Sequence, residues 1–175
     1  MLFVRQSSKV AAPTVYDDKK PRCNFIVQER IRDRCIRECY NDLSKDEKEG
    51  VWTQLRANLD GLRAIKSPGY FGGVWDQPCR DGFLTGSVLH LFDPVPGPIR
   101  TEKEWVQAMV ETGNKVNKLS PEYGRFIPKA YEATFQGHES FFTHGDLHPD
   151  NVFVREDDKS VVLIDWEMSG WAPSF

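Results

Sequence analysis

No apolar run in this sequence exceeds about five residues, so no segment is long enough to cross a bilayer as a helix. Met1-Leu-Phe-Val4 is too short for a signal-peptide core, and Arg5 interrupts it. A cytoplasmic location with no membrane contact is the expectation. Charge of one sign is also missing: 23 Lys and Arg stand against 26 Asp and Glu, for a net charge of −3. That balance gives no reason to expect nucleic acid as a partner. Cysteine is scarce, and the four present (Cys23, Cys35, Cys39, Cys79) lack the C-x₂-C spacing of a zinc site. Cys35 and Cys39 share a face if their stretch is helical, which would let them join a metal or react. Free thiols in a reducing compartment are the plainer expectation. Repeats and low-complexity tracts are absent. What remains, 175 residues with 39% hydrophobic and 28% charged, is enough for a globular domain with a substantial core.

Local patterns come next. Residues 2–8 fit the last turns of a helix that ends before Pro13. Thr14-Val-Tyr16 and Asn24–Ile31 read as short strands around a polar turn, Asp17–Pro21. Phe25 and Val27 on one face and Ile26 on the other suggest that the second strand is covered on both sides. Ser44-Lys-Asp-Glu47 is a capping box that opens a long helix, with Val51, Leu55, Leu59 and Leu62 as its apolar stripe and Trp52 and Ile65 beside it. Ser67-Pro-Gly69 stops it. A turn-rich stretch follows (Gly72-Gly73, Asp76-Gln-Pro78, Asp81-Gly82), then the loop Asp93–Pro98. Thr101-Glu-Lys-Glu104 marks a second capping box, with Trp105, Met109 and Val110 on the buried side of its helix. Ser120-Pro-Glu122 opens a third helix, striped by Tyr123, Ile127, Ala130, Tyr131 and Phe135, in which Pro128 should weaken or kink the backbone.

The most informative stretch is His144-Gly-Asp-Leu-His-Pro-Asp-Asn151, followed by Val152-Phe-Val154 and then by Val161-Val-Leu-Ile164 and Asp165. It sets Asp146 and Asn151 on one loop and delivers Asp165 at the end of an apolar strand. Kinase-type phosphoryl transfer needs such a set: a carboxylate to orient and deprotonate the attacking hydroxyl, and an Asn and an Asp to hold Mg²⁺ against the nucleotide phosphates. Each has a plainer alternative. Asp146 and Asn151 also suit turns, and Glu167 after Asp165 suits solvent as well as a second acidic role. His144 and His148 flank Asp146 in an H-x-D-x-H array, which would favour a transition metal on an extended strand; Gly145 and Pro149 imply a loop instead. His144 then props the loop from beneath, and His148 approaches substrate or phosphate. Arg30, Arg32, Arg34 and Arg37 read chiefly as a solvated charged face, with phosphate or an acidic partner as the alternative.

HGDLHPDN with LIDWEMSGW resembles the signature of the aminoglycoside phosphotransferase and choline kinase-like superfamily, and most closely its fungal-type branch. Asn24–Ile31 resembles the last small-lobe strand and the hinge, and Leu43–Gly69 the helix after it. The resemblance implies an α+β, protein-kinase-like fold: residues 1–31 as a small-lobe remnant and hinge, and 32–175 as an incomplete, mainly helical large lobe. The catalytic loop would be 144–151 and the metal-binding segment 161–167. It further implies ATP and Mg²⁺ as cofactors, a small-molecule hydroxyl as acceptor, Asp146 as base, Asn151 and Asp165 as metal ligands, and the backbone of Glu29 and Ile31 facing adenine. The sequence departs from the family pattern in lacking a Gly-rich loop or strand lysine before the hinge-like segment. Where members usually show a Gly soon after the hinge, it reads Arg32–Cys39. It therefore reads as a kinase truncated at both ends, and the rival reading is an inactive kinase-derived fragment or binding module.

Overall fold

The structure, a computed structural model, describes residues 1–17, 26–79, 97–117 and 121–174. The predicted turn beyond Asp17 (18–21), Cys23, Asn24, Phe25, Asp81-Gly82, 93–96 and Ser120 lie outside those residues. The fold is mixed α+β, with small antiparallel sheets, and by compactness it divides into two units.

The first unit comprises Met1–Ile65 and Asp146–Trp166. Helix α1 (Leu2–Ser7) buries Val4, and Arg5 reaches forward to the carbonyl of Ala12 at 2.9 Å. Strands β1 (Val15–Asp17) and β2 (Val27–Gln28) form a two-stranded antiparallel sheet with an irregular register. Ile26 and Val27 are 62% and 45% exposed, so the expectation of a strand covered on both sides is not met. The reason is length: two residues paired to one neighbour present no face wide enough to be buried among the described residues. The main sheet runs β3 (Arg34–Cys35), β5 (Val152–Val154), β6 (Val161–Leu163), all antiparallel. Every residue of β6 is buried, as its unbroken apolar run requires. The extended segment before β1 lies along β6, with the Leu163 amide donating to Ala11 O at 3.1 Å.

Helix α2 (Ile36–Cys39) continues directly from β3 and turns Ile36 and Cys39 inward. Burial pushes the Cys39 thiol above its ordinary pKa. Helix α3 (Lys45–Arg63) begins at the predicted capping box: Ser44 Oγ accepts from the Glu47 amide, and Glu47 Oε2 accepts from the Ser44 amide at 2.8 Å. Of its stripe, Val51 and Leu62 are buried and Leu55 and Leu59 half-buried, while Trp52 is 49% exposed. Gln54 stitches the helix to the β5–β6 turn, donating to Lys159 O at 3.0 Å and accepting from the Val161 amide at 3.1 Å.

The second unit comprises Lys66–Gly145 and Glu167–Phe175. Its core gathers Phe71, Cys79, Ile99, Trp105 and Met109. Helix α4 (Glu102–Asn117) starts from the second predicted capping box, with Thr101 and Glu104 each accepting the other's amide. Val106 joins Trp105 and Met109 on its buried side, whereas Val110 is half-buried. Helix α5 (Pro121–Thr134) runs through Pro128 without ending. Strands β4 (Ser140–Thr143) and β7 (Gly170–Pro173) pair antiparallel over four positions, and Phe142 meets Trp171 edge-on at 5.2 Å between ring centroids. Among the described residues no helix is long and apolar enough to cross a membrane.

Candidate active site

The hairpin of β5 and β6 assembles the site. Its register pairs Val152 with Leu163, so the residues just before β5 and just after β6 meet at one end. The Ile164 amide donates to Asn151 O at 3.0 Å and closes that end. Asn151 and Asp165, separated in the sequence by the two strands and their polar turn, are thus set at one end of the hairpin by backbone pairing.

Within the loop, the backbone turns twice. The His148 amide donates to Asp146 O at 2.9 Å, and the Asn151 amide to His148 O at 2.8 Å. Pro149–Asn151 forms a 3₁₀ turn, for which Pro149 at its start is pre-set. The side chain of Asn151 is 9% exposed and points back across the loop. Its Nδ2 donates to Asp146 O at 3.0 Å and to Asp146 Oδ2 at 3.1 Å. Asn151 therefore fixes both the backbone and the carboxylate of half-buried Asp146 and leaves its own Oδ1 as a hard oxygen donor.

Asp165 is exposed and holds φ +59, a left-handed conformation uncommon for non-glycine residues but one that Asp tolerates better than most. The indole of the next residue, Trp166, is buried and donates to Leu163 O at 2.9 Å, which pins the turn from one side. Asp165 therefore stands, as expected, just beyond the carboxyl end of a buried strand with its side chain exposed. Among the described residues no cluster of three or more His, Cys, Asp or Glu gathers to hold a metal ion. Mg²⁺ does not require one, since it commonly takes one or two protein carboxylates and fills its sphere with water and phosphate. The hard-oxygen set of Asn151 and Asp165 fits that cation and suits a soft one poorly.

The chain enters the loop through His144, which is 1% exposed, and Gly145. Gly145 has φ +81, and a Cβ there would stand 2.1 Å from Met168 O, so no other residue fits. His148, read from the sequence as approaching substrate or phosphate, has a half-exposed side chain that also contacts protein. Arg37 Nη2 lies 2.9 Å from its Nε2, and its Nδ1 lies 3.1 Å from Asp150 Oδ2. The Asp150 amide also points at Nδ1, at 3.5 Å, so the ring caps the 3₁₀ turn that follows it. Arg37 Nε also donates to Asp150 Oδ1 in a short ion pair. That hydrogen bond holds the Asp150 carboxyl below its ordinary pKa and raises that of Arg37. Arg34 pairs with Asp42 at 2.6 Å. All four arginines of the run are exposed, as a solvated face requires, and Arg34 and Arg37 also pair with acidic groups of the chain. Sequence reading missed Arg37 and Asp150 as a pair because 113 residues separate them and no local pattern links them.

At the hinge-like segment, the Glu29 amide donates to Thr14 O at 2.7 Å. The Glu29 carboxylate accepts from the Thr14 amide at 3.1 Å and from Arg155 at 3.3 Å. These donors, the Thr14 amide first, lower its pKa. The Glu29 carbonyl and the Ile31 amide, the two groups assigned to adenine, make no hydrogen bond to any described residue.

One hairpin end thus presents a tethered aspartate, an asparagine and a second aspartate. The model of the phosphotransferase enzyme family matches residues 1–174, and the chain belongs to that family. The family is the aminoglycoside phosphotransferase and choline kinase-like superfamily, so a phosphotransferase-like function follows in general terms. No curated protein matched the chain.

Proposed function

We propose that the chain is an ATP- and Mg²⁺-dependent kinase that phosphorylates a hydroxyl group of a small molecule. The observation that carries this is the two-point grip of Asn151 on Asp146, at the same hairpin end that presents Asp165. Asp146 orients the acceptor hydroxyl. The acceptor oxygen forms a bond to the γ-phosphorus as the bond from that phosphorus to the β,γ-bridging oxygen breaks. The hydroxyl proton passes to the Asp146 carboxylate, and ADP departs. Asn151 Oδ1 and the Asp165 carboxylate would hold Mg²⁺, which neutralises charge on the phosphates when bound. Residues 1–31 serve as the small-lobe portion and hinge, with the Glu29 carbonyl and Ile31 amide facing adenine. Aminoglycosides, choline, sugars and amino alcohols are the acceptor classes to screen.

A second reading, a nucleotide-binding module without turnover, is favoured by one feature: residues 1–31 contain no glycine and so do not themselves supply a Gly-rich phosphate loop. Transfer of labelled γ-phosphate from ATP to the acceptor panel separates the two. Transfer that disappears in Asp146→Asn supports the kinase. Mg-ATP binding with no transfer to any acceptor supports the module.

A further inference from the structure

Loop 146–151 has an inner and an outer side. The inner side is held by Asn151 and by the pairing of β5 with β6. The outer side, Leu147 to Asp150, is exposed, and exposed turns of this kind open readily. Arg37 is placed to prevent that. It sits on α2, whose Ile36 and Cys39 are 6% and 3% exposed, so its backbone is fixed in the core of the first unit. Strand β3, immediately before it, pairs Cys35 with Phe153 of β5, two residues beyond the loop. From that base the guanidinium meets Asp150 through Nε and His148 through Nη2, with Cys35 Sγ also 3.9 Å from Asp150 Oδ1.

We infer that Arg37 is a positioning residue for the 146–151 loop. Its grip passes inward by a short route. His148 and Asp150 carry Arg37's contacts; the His148 carbonyl accepts the Asn151 amide; the Asn151 side chain sets the Asp146 carboxylate. Arg37 touches none of the groups assigned to chemistry. Its side chain is 54% and that of Asp150 50% exposed, and ion pairs so placed contribute little to global stability. The pair therefore serves geometry. This inference rests on the kinase reading for its functional half and stands apart from that reading for its structural half.

The test compares wild type with Arg37→Ala, Asp150→Asn and the charge-exchanged pair Arg37→Asp with Asp150→Arg. Two readouts are taken: amide hydrogen exchange across 146–151, and hydrolysis of Mg-ATP to ADP and phosphate without an acceptor. Each single variant should keep the wild-type melting temperature and speed exchange in the loop by about tenfold, with the exchanged pair returning it toward wild type. kcat for hydrolysis should fall about 10- to 100-fold with KM for Mg-ATP within about threefold, because misplacement of about an ångström acts on the reacting step. Wild-type exchange rates in both single variants would overturn the inference. So would a loosened loop with unchanged kcat. A wild-type chain that neither binds nor hydrolyses Mg-ATP would count against the kinase reading, while exchange would still decide whether Arg37 holds the loop.

Discussion

Two stretches of this chain are held in place by opposite means. In the second unit, β4 and β7 are set by exclusion: Phe142 is 1% exposed against Trp171, and a Cβ on Gly170 would fall 2.5 Å from Gly72 O. In the first unit, the 146–151 loop is set by named hydrogen bonds from Asn151 and Arg37, much of it in contact with solvent. Close packing is costly to disturb and tolerates no change of shape. A polar tether contributes less to stability but fixes the direction of a carboxylate, which packing does poorly. The stretch proposed to bind and react is the one built with tethers.

Substitutions should therefore separate stability from function along that line. The largest effect on stability belongs to Phe142→Ala, which removes a fully buried ring and should cost about 3–5 kcal/mol in urea unfolding. Gly145→Ala should follow at about 3 kcal/mol, from a left-handed φ combined with overlap of Met168 O. A melt like wild type would show that the turn is not as tight as drawn. Asn151→Ala should cost about 1–2 kcal/mol, since it strips two hydrogen bonds from Asp146, yet abolish the stabilisation by Mg-ATP altogether. A variant that still responded fully to Mg-ATP would break the contrast between the two regions.

The smallest effect should come from Glu29→Gln. Hydrogen bonds depress the folded-state pKa of Glu29 below its unfolded value, so its contribution is present above the unfolded value and lost as pH falls through the folded one. Melts taken from neutral pH down to about pH 3 should show the variant less stable by about 0.5 kcal/mol at neutrality, converging with wild type in acid. A constant gap at every pH would remove Glu29 as its source.

Much of this could be read from residue order alone. Ser44 and Glu47, and Thr101 and Glu104, announced two helix starts because capping is a local affair decided within four residues. The apolar run Val161–Leu163 foretold a buried strand with an aspartate beyond its end. The exposure of Val27 was not legible, because alternation shows which residues share a face and not whether anything covers it. Nor was Pro128 inside α5 legible as tolerated, since breaking propensity gives way to tertiary context. At the site, the residue types were plain and the assembly was not. Nothing in the sequence says that Asn151 donates to Asp146, or that Arg37 reaches Asp150.

The central claim is that Asp146, Asn151 and Asp165 form a nucleotide–metal site, and thermal unfolding with and without Mg-ATP, alongside Asp165→Ala, tests it most directly. At about 100-fold excess over the dissociation constant, Mg-ATP should stabilise wild type by about 2.7 kcal/mol and leave Asp165→Ala unmoved. A wild-type transition indifferent to Mg-ATP, or an equal rise in the variant, would contradict the account.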